Sequence, residues 1–367
     1  MAYIIDNHEL STVAEPLIVV QQKLFFDKIP FPKPNNPQFK FIDLFAGIGG
    51  FRIAMQNLGG ECVFTSEIDL HAQSSYQTNF GELPHGDITK VDEKNVPKHD
   101  VLCAGFPCQA FSIAGRRGGF NDTRGTLFFD VARIIKEKQP KAFFLENVKG
   151  LRGHDKGKTL ATILNVLREE LNYFVPEPQI INAKNFGVPQ NRERIFIIGF
   201  RKDLDINSFK YPEPTGKKVV FEDIREPNIV NTKYYLSQVY LETLKRHRAR
   251  HESKGNGFGY AVIPNDGIAN AIVVGGMGKE RNLVYDDRII DFTPTTKIKG
   301  EVNREYIRKM TPREWARLQG YPDNFKIELA DVHAYKQFGN SVAVPAIQAT
   351  AKNLLEHLKI SVKEQWH

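Results

Sequence analysis

Between residues 39 and 200 short apolar runs alternate with segments of helical period. The runs "FKFIDLF" (39–45), "CVFTSEID" (62–69), "DVLCAG" (100–105), "KAFFLENV" (141–148) and "RIFIIGF" (194–200) read as strands. Residues 51–58, 71–80, 127–138 and 158–171 read as helices. Strands alternating with helices at these lengths predict an α/β fold built on an open, mostly parallel sheet. In such sheets sites form at the carboxyl ends of the strands. Glu67, Cys108 and Glu146 stand at or just after strand ends, so they can share one crevice while lying far apart in sequence.

The remainder of the chain is organised differently. Residues 1–38 form a leader with no clear periodic core, and "PFPKPNNPQ" (30–38) reads as a linker. Residues 201–303 are rich in turns and weak in helix signals, which predicts a smaller second domain of short strands and loops. Regular pattern returns at 311–319, where Thr311 is a plausible cap and Pro312 stands in the first helical turn. A final helix is expected over 342–358.

The chain has 367 residues, a formal charge of +7 and no apolar run long enough to span a membrane. The charge permits a polyanionic partner without requiring one. Three cysteines, Cys62, Cys103 and Cys108, give neither a disulfide framework nor the paired spacing of a zinc site, so no metal is expected. Reduced thiols and the lack of a signal peptide point to the cytoplasm.

The strand ends carry the chemistry. "AGIGG" after the first strand lets the backbone turn tightly and approach a ligand at a helix N-terminus. Glu67 suits a pair of ribose hydroxyls and Asp87 an adenine amino group, so the crevice suggests a nucleoside cofactor. Cys108 follows Pro107, which stiffens the turn, and a fixed, partly exposed thiol is a candidate nucleophile. Glu146 ends an apolar strand. A carboxyl held there partly desolvated acquires a raised pKa and becomes a proton donor. Arg192 and Arg194 lie on one face of an extended segment, where they can hold a phosphate or a polarised carbonyl near that acid.

The segments "DLFAGIGGFR", "GFPCQAFS", "DTRGTLFFD", "ENVKGL", "QNRERIFIIG", "RLQGYP" and "YKQFGNSVAVP" stand in one order from residue 39 to the last helix. In this the chain resembles the bacterial cytosine-C5 DNA methyltransferases of restriction–modification systems. The resemblance implies a Rossmann-like methyltransferase fold that takes a methyl group from S-adenosylmethionine and releases S-adenosylhomocysteine. It implies a discontinuous catalytic domain, 39–200 plus 304–367, with 201–303 as the target-recognition domain. Cys108 would attack C6 of a cytosine flipped out of duplex DNA, Glu146 would hydrogen-bond N3 and the exocyclic amine, and Arg192 would steady the O2 carbonyl. Phe45 and Ile48 would line the adenine pocket, and Gly47, Gly49 and Gly50 would pass the methionine part. Glu67, with Ile68 beside it, would hold the ribose, and Asp87 with Ile88 the adenine. Pro107 and Leu127 would wall the pocket, and Asn340, Ser341 and Val342 would return to the cofactor at the start of the last helix.

For DNA, the resemblance makes 111–125 a closing loop whose Arg116, Arg117 and Arg124 meet phosphates. "LKRHRARHESK" (244–254) is expected to contact phosphates through Lys245, Arg246, Arg248, Arg250 and Lys254. "GMGKERN" (276–282), with Lys279 and Arg281, has the composition for reading base edges. The likeness in "RHESKGNGFGY" and "VVGGMGKERNL" extends to enzymes that modify the inner cytosine of CCGG. It implies a nuclease sharing that target without a stable complex, and a monomeric enzyme. Three rivals compete. A nicotinamide-dependent oxidoreductase leaves Cys108, Glu146 and the arginines unexplained. A catalytically silent DNA-binding relative would not need both Cys108 and Glu146. An RNA cytosine-C5 methyltransferase fits the core but not the long glycine-rich insert.

Overall fold

The computed structural model describes residues 29–107, 127–257 and 259–362. Strand β1 (Phe39–Leu44) leads through the glycine turn into α1 (Gly50–Asn57). Next come β2 (Gly60–Ser66), α2 (Leu70–Phe80), β3 (Val101–Gly105), α3 (Leu127–Lys138), β4 (Ala142–Val148) and α4 (Lys158–Asn165). Strands β5 (Tyr173–Phe174), β6 (Gln179–Asn182), β7 (Gln190–Asn191) and β8 (Glu193–Arg201) complete this half. The main sheet has the order β2-β1-β3-β4-β8-β5, with β6 also on β8. Its first four strands pair in parallel, and β8 pairs antiparallel with β4, β5 and β6. The strand order reverses direction between β1 and β3, and a crevice opens at such a switch point.

Each central strand feeds two cores because successive side chains point to opposite faces. Phe41, Cys103, Phe144 and Ile198 pack on one side with Ala54 of α1. Ile42, Leu102, Phe143 and Ile197 pack on the other with Ile135 of α3 and Ile163 of α4. This is why the runs are nearly continuous in apolar residues rather than alternating. Cys62 and Cys103 are buried free thiols.

The smaller, strand- and loop-rich region holds α5 (Gln238–Glu252), β9 (Val262–Ile263), β10 (Ala269–Asn270) and β11 (Leu283–Tyr285). Strand β12 (Ile307–Lys309), then α6 (Pro312–Leu318), α7 (Asp331–Asn340) and α8 (Val344–His357), return the chain to the main sheet. β11 pairs with β9 and with β12, so the small sheet runs past residue 303. β10 pairs with β7, where Ala269 faces Gln190. No helix among the described residues is long and apolar enough to cross a membrane.

Several elements differ from expectation for local reasons. Phe31, within the presumed linker, is buried with its ring 5.7 Å from that of Phe80 and 6.2 Å from that of Phe325. The helix expected over 158–171 closes on a wider turn, in which the Leu171 N–H reaches the Val166 carbonyl at 2.9 Å. The 15-residue helix α5 stands in the segment where helix signals are weak, because Leu241 and Leu244 are its buried residues and the rest is polar or exposed. Its cap is Ser237, whose hydroxyl accepts the Tyr240 N–H. At 311–319 the expected cap is present. Thr311 Oγ1 accepts from the Glu314 N–H at 3.1 Å, and Glu314 Oε2 accepts from the Thr311 N–H at 2.8 Å. The last helix begins at Val344, and Asn340 instead ends α7.

Candidate active site

A cavity of about 440 Å³ lies over the carboxyl ends of β1 to β4. The parallel pairing sets Leu44 beside Ser66, which brings the turn after β1 against the end of β2. Across that junction the Gly47 N–H donates to Glu67 Oε2 at 2.8 Å, and the Asp69 N–H donates to Oε1 at 2.7 Å. The Glu67 carboxylate is thus fixed at the cavity wall, with further lone pairs available to a diol. Phe45 takes a left-handed backbone, φ 58°, a conformation that costs a non-glycine residue energy and recurs at ligand sites.

The glycines divide by function. Gly47 lines the cavity, while Gly49 and Gly50 do not. Gly49 has φ 83°, and a Cβ there would sit 2.3 Å from the Phe80 ring. A Cβ on Gly50 would meet Val342 at 2.7 Å. These two glycines, expected to pass a methionine moiety, permit close packing behind the turn. Ile48 and Ser341 line a smaller cavity of about 70 Å³ that shares Gly47, Glu67 and Asn340 with the first. Val342 packs behind Gly50 and Gly105.

Ile68, Asp87, Ile88, Pro107, Leu127 and Asn340 line the large cavity with Phe45, Gly47 and Glu67. Asp87 caps a short turn, its Oδ1 accepting from the Thr89 N–H and hydroxyl, and these bonds hold its pKa below the ordinary value. The Glu67 carboxylate, the half-buried Asp87 carboxylate at the far wall and an apolar rim of Phe45, Ile68, Ile88 and Leu127 give acceptors and apolar surface that fit an adenosyl group.

Glu146 stands at the floor of the same cavity, 8% exposed. Its register partner on β3 is Gly105. Burial raises its pKa, against the opposing pull of Arg194 and then Arg192. Arg194 Nε lies 3.1 Å from Glu146 Oε1. Both arginines line the cavity, as the period-2 reading requires, but their donors differ. Arg192 Nη1 donates to the Ile272 carbonyl at 2.9 Å, and Nη2 donates to the carbonyls of Ser341 at 2.6 Å and Gly339 at 3.3 Å. The terminal nitrogens of Arg192 are thus engaged by backbone, and only its Nε is left without a partner. Arg194 has the position beside Glu146. Asn147, which the sequence reading passed over although it quoted "ENV", donates to the Phe106 carbonyl at 2.8 Å and so fixes the chain entering Pro107.

Cys108, Arg116, Arg117 and Arg124 lie outside the described residues. Of the basic run in α5, Lys245 is paired with Glu242 and Glu305, and Arg248 with Glu252. Arg246 donates to Thr243, and Arg250 and Lys254 are exposed. Arg281 is exposed, while Lys279 lies 4.2 Å from the centre of the Tyr335 ring in a separate groove, with its pKa lowered by burial.

The parallel sheet with an antiparallel β8, the cavity over its strand ends and the carboxyl that lines it are those of an S-adenosylmethionine-dependent methyltransferase. The model of C-5 cytosine-specific DNA methylases matches residues 39–356, and the chain belongs to that family. The Type II methyltransferase M.HpaII of Haemophilus parainfluenzae is 73% identical over 332 residues, covering 90% of this chain and 93% of the relative. The Type II methyltransferase M.HhaI of Haemophilus parahaemolyticus is 43% identical over 324 residues, covering 86% and 94%. In fold the chain is similar to the crystal structure of the S. pombe Dnmt2 methyltransferase, with a TM-score of 0.66 at 18% identity, covering 87% and 99%. The chain is a DNA (cytosine-5)-methyltransferase of restriction–modification type that uses S-adenosylmethionine and acts on duplex DNA.

Proposed function

We propose that the enzyme methylates the inner cytosine of CCGG through a covalent Cys108 adduct. The single observation that supports this chemistry best is the Glu146–Arg194 pair, one strand from the Gly105–Pro107 segment and at the floor of the cofactor cavity. Cys108 follows Pro107 directly in the sequence. The target base must leave the duplex to reach this depth. The Cys108 thiolate then forms a bond to C6, and the electron pair displaced from the C5–C6 bond makes C5 nucleophilic. Glu146, whose pKa burial raises, donates a proton to N3 and accepts from the exocyclic amine. Arg194 steadies O2 in place of Arg192. S-adenosylmethionine supplies an electrophilic methyl group and leaves as S-adenosylhomocysteine. Water takes the C5 proton, and the electron pair of the C5–H bond re-forms the C5–C6 double bond and expels the Cys108 thiolate.

Phe45, Glu67, Ile68, Asp87, Ile88, Pro107, Leu127 and Asn340 hold the cofactor. Residues 201–303 select the sequence, with Arg281 and the 273–282 segment nearest to base edges and the exposed Arg246, Arg250 and Lys254 meeting phosphates. The CCGG target rests on likeness to enzymes of that specificity. A cytoplasmic monomer that modifies one strand and then the other suffices, with a nuclease sharing the site but no lasting complex.

A duplex carrying 5-fluorocytosine at the inner position tests the covalent step, since fluorine cannot leave C5 as a proton. We expect a heat-stable adduct in a denaturing gel that disappears in Cys108→Ser. An adduct that persists in that variant rules Cys108 out as nucleophile.

A further inference from the structure

Gln190 and Arg192 engage the backbone of one residue, Ile272, at its N–H and its carbonyl. The Ile272 N–H donates to Gln190 Oε1 at 3.0 Å, and the Ile272 carbonyl accepts from Arg192 Nη1 at 2.9 Å. Ile272 is fully buried, and the exposed stretch 273–276 begins at the next residue. The other terminal nitrogen of Arg192 donates to the Gly339 and Ser341 carbonyls, which flank Asn340 at the cofactor cavity. Gln319 closes the ring. Its Nε2 donates to the Phe338 and Ser341 carbonyls, and its Oε1 accepts from Gln190 Nε2 at 3.2 Å. Gln190 and Gln319 are fully buried, and Arg192 nearly so. One guanidinium thus joins the root of the 273–282 segment to the cofactor wall, two residues before the arginine that pairs with Glu146.

We infer that Arg192, braced by Gln190 and Gln319, is a positioning residue that couples duplex binding at the 273–282 segment to cofactor affinity. This rests on the reading of that segment as the base-contacting part of the recognition region. A guanidinium is a planar fork whose donors keep fixed relative directions. Buried away from water, it cannot release a carbonyl without leaving a polar group unpaired. Ile272 and Ser341 therefore cannot shift independently. A duplex that moves or fixes Ile272 does the same to the Asn340 wall, and the effect is reciprocal by linkage.

Calorimetric titration of S-adenosylhomocysteine into the full chain, with and without a CCGG duplex, tests the coupling. The readout is the ratio of the two affinities. For the wild type we expect the duplex to tighten the product by about fivefold or more, the usual lower range of site coupling. Arg192→Lys keeps the charge but lacks the fork, and the ratio should fall to within about twofold of one. Gln190→Met releases the Ile272 N–H and should do the same, which keeps the test decisive if the lysine variant does not fold. Loosened structure without coupling would weaken both affinities and leave the ratio unchanged. A wild-type ratio near one, or a folded variant that keeps the wild-type ratio, overturns the inference. Failure of the wild type to bind the product or to methylate CCGG would overturn the underlying functional reading instead.

Discussion

Arg194 Nε lies 3.1 Å from Glu146 Oε1, and both side chains are largely withdrawn from solvent. The arginine opposes the burial that raises the glutamate pKa. In the proposed mechanism Glu146 donates to the ring nitrogen in its protonated form, and an acid loses its proton as the pH rises through its pKa. Removing the cation raises it further. In Arg194→Met the basic limb of kcat/KM should therefore move to higher pH, while the plateau falls about 10²-fold or more through loss of a donor at the developing charge. A basic limb that stays in place would separate it from Glu146.

The wall opposite makes a distinct prediction for the cofactor. Glu67→Ala removes the acceptor of the Gly47 and Asp69 N–H groups as well as the proposed acceptor of the cofactor diol. Hydrogen bonds to charged groups contribute about 1.5–3 kcal/mol, so S-adenosylmethionine affinity should fall by about tenfold to a hundredfold in a protein that still folds. Gly49→Ala should act differently, because its Cβ would enter the Phe80 ring at a positive φ. Overpacking of this kind costs about 1–3 kcal/mol, and calorimetry should show a lowered Tm even without cofactor.

A buried ionic network ties the small sheet to the main body. Arg308 donates to Asp286 at 2.8 Å and to both oxygens of Glu314 at 2.8 Å, and all three residues are fully buried. Glu314→Ala leaves both terminal nitrogens of Arg308 without their carboxylate, with only Asp286, which Arg225 and Arg288 share, to offset the charge, and removes the Thr311 capping partner. Urea denaturation should show a loss of about 3–5 kcal/mol. A loss below about 1 kcal/mol would mean that the network does not hold the two regions together.

Much of this architecture was legible in the sequence because parallel strands are buried on both faces. Their apolar runs end abruptly, and Glu67 and Glu146 mark the ends. What stayed hidden depends on partners remote in the chain. Period-2 geometry puts Arg192 and Arg194 on one face, but the carbonyls that engage Arg192 belong to Ile272, Gly339 and Ser341, 80 to 149 positions away. Helix α7 was missed because its buried residues are few, Ala334, Tyr335, Phe338 and Gly339, so Asn340 seemed to begin the following helix. The basic run 244–254 read as a free phosphate-binding face. On α5 the i,i+3 and i,i+4 partners Glu242 and Glu252 neutralise part of it, a pairing visible in sequence once the helix is recognised.

The most direct test of the account is bisulfite sequencing of a plasmid carried in cells that express the protein. Conversion-resistant cytosines should appear at the inner position of CCGG on both strands, and should vanish when Cys108→Ser is expressed instead. Resistance confined to another motif would contradict the CCGG assignment, and persistence of the pattern in Cys108→Ser would contradict the covalent mechanism.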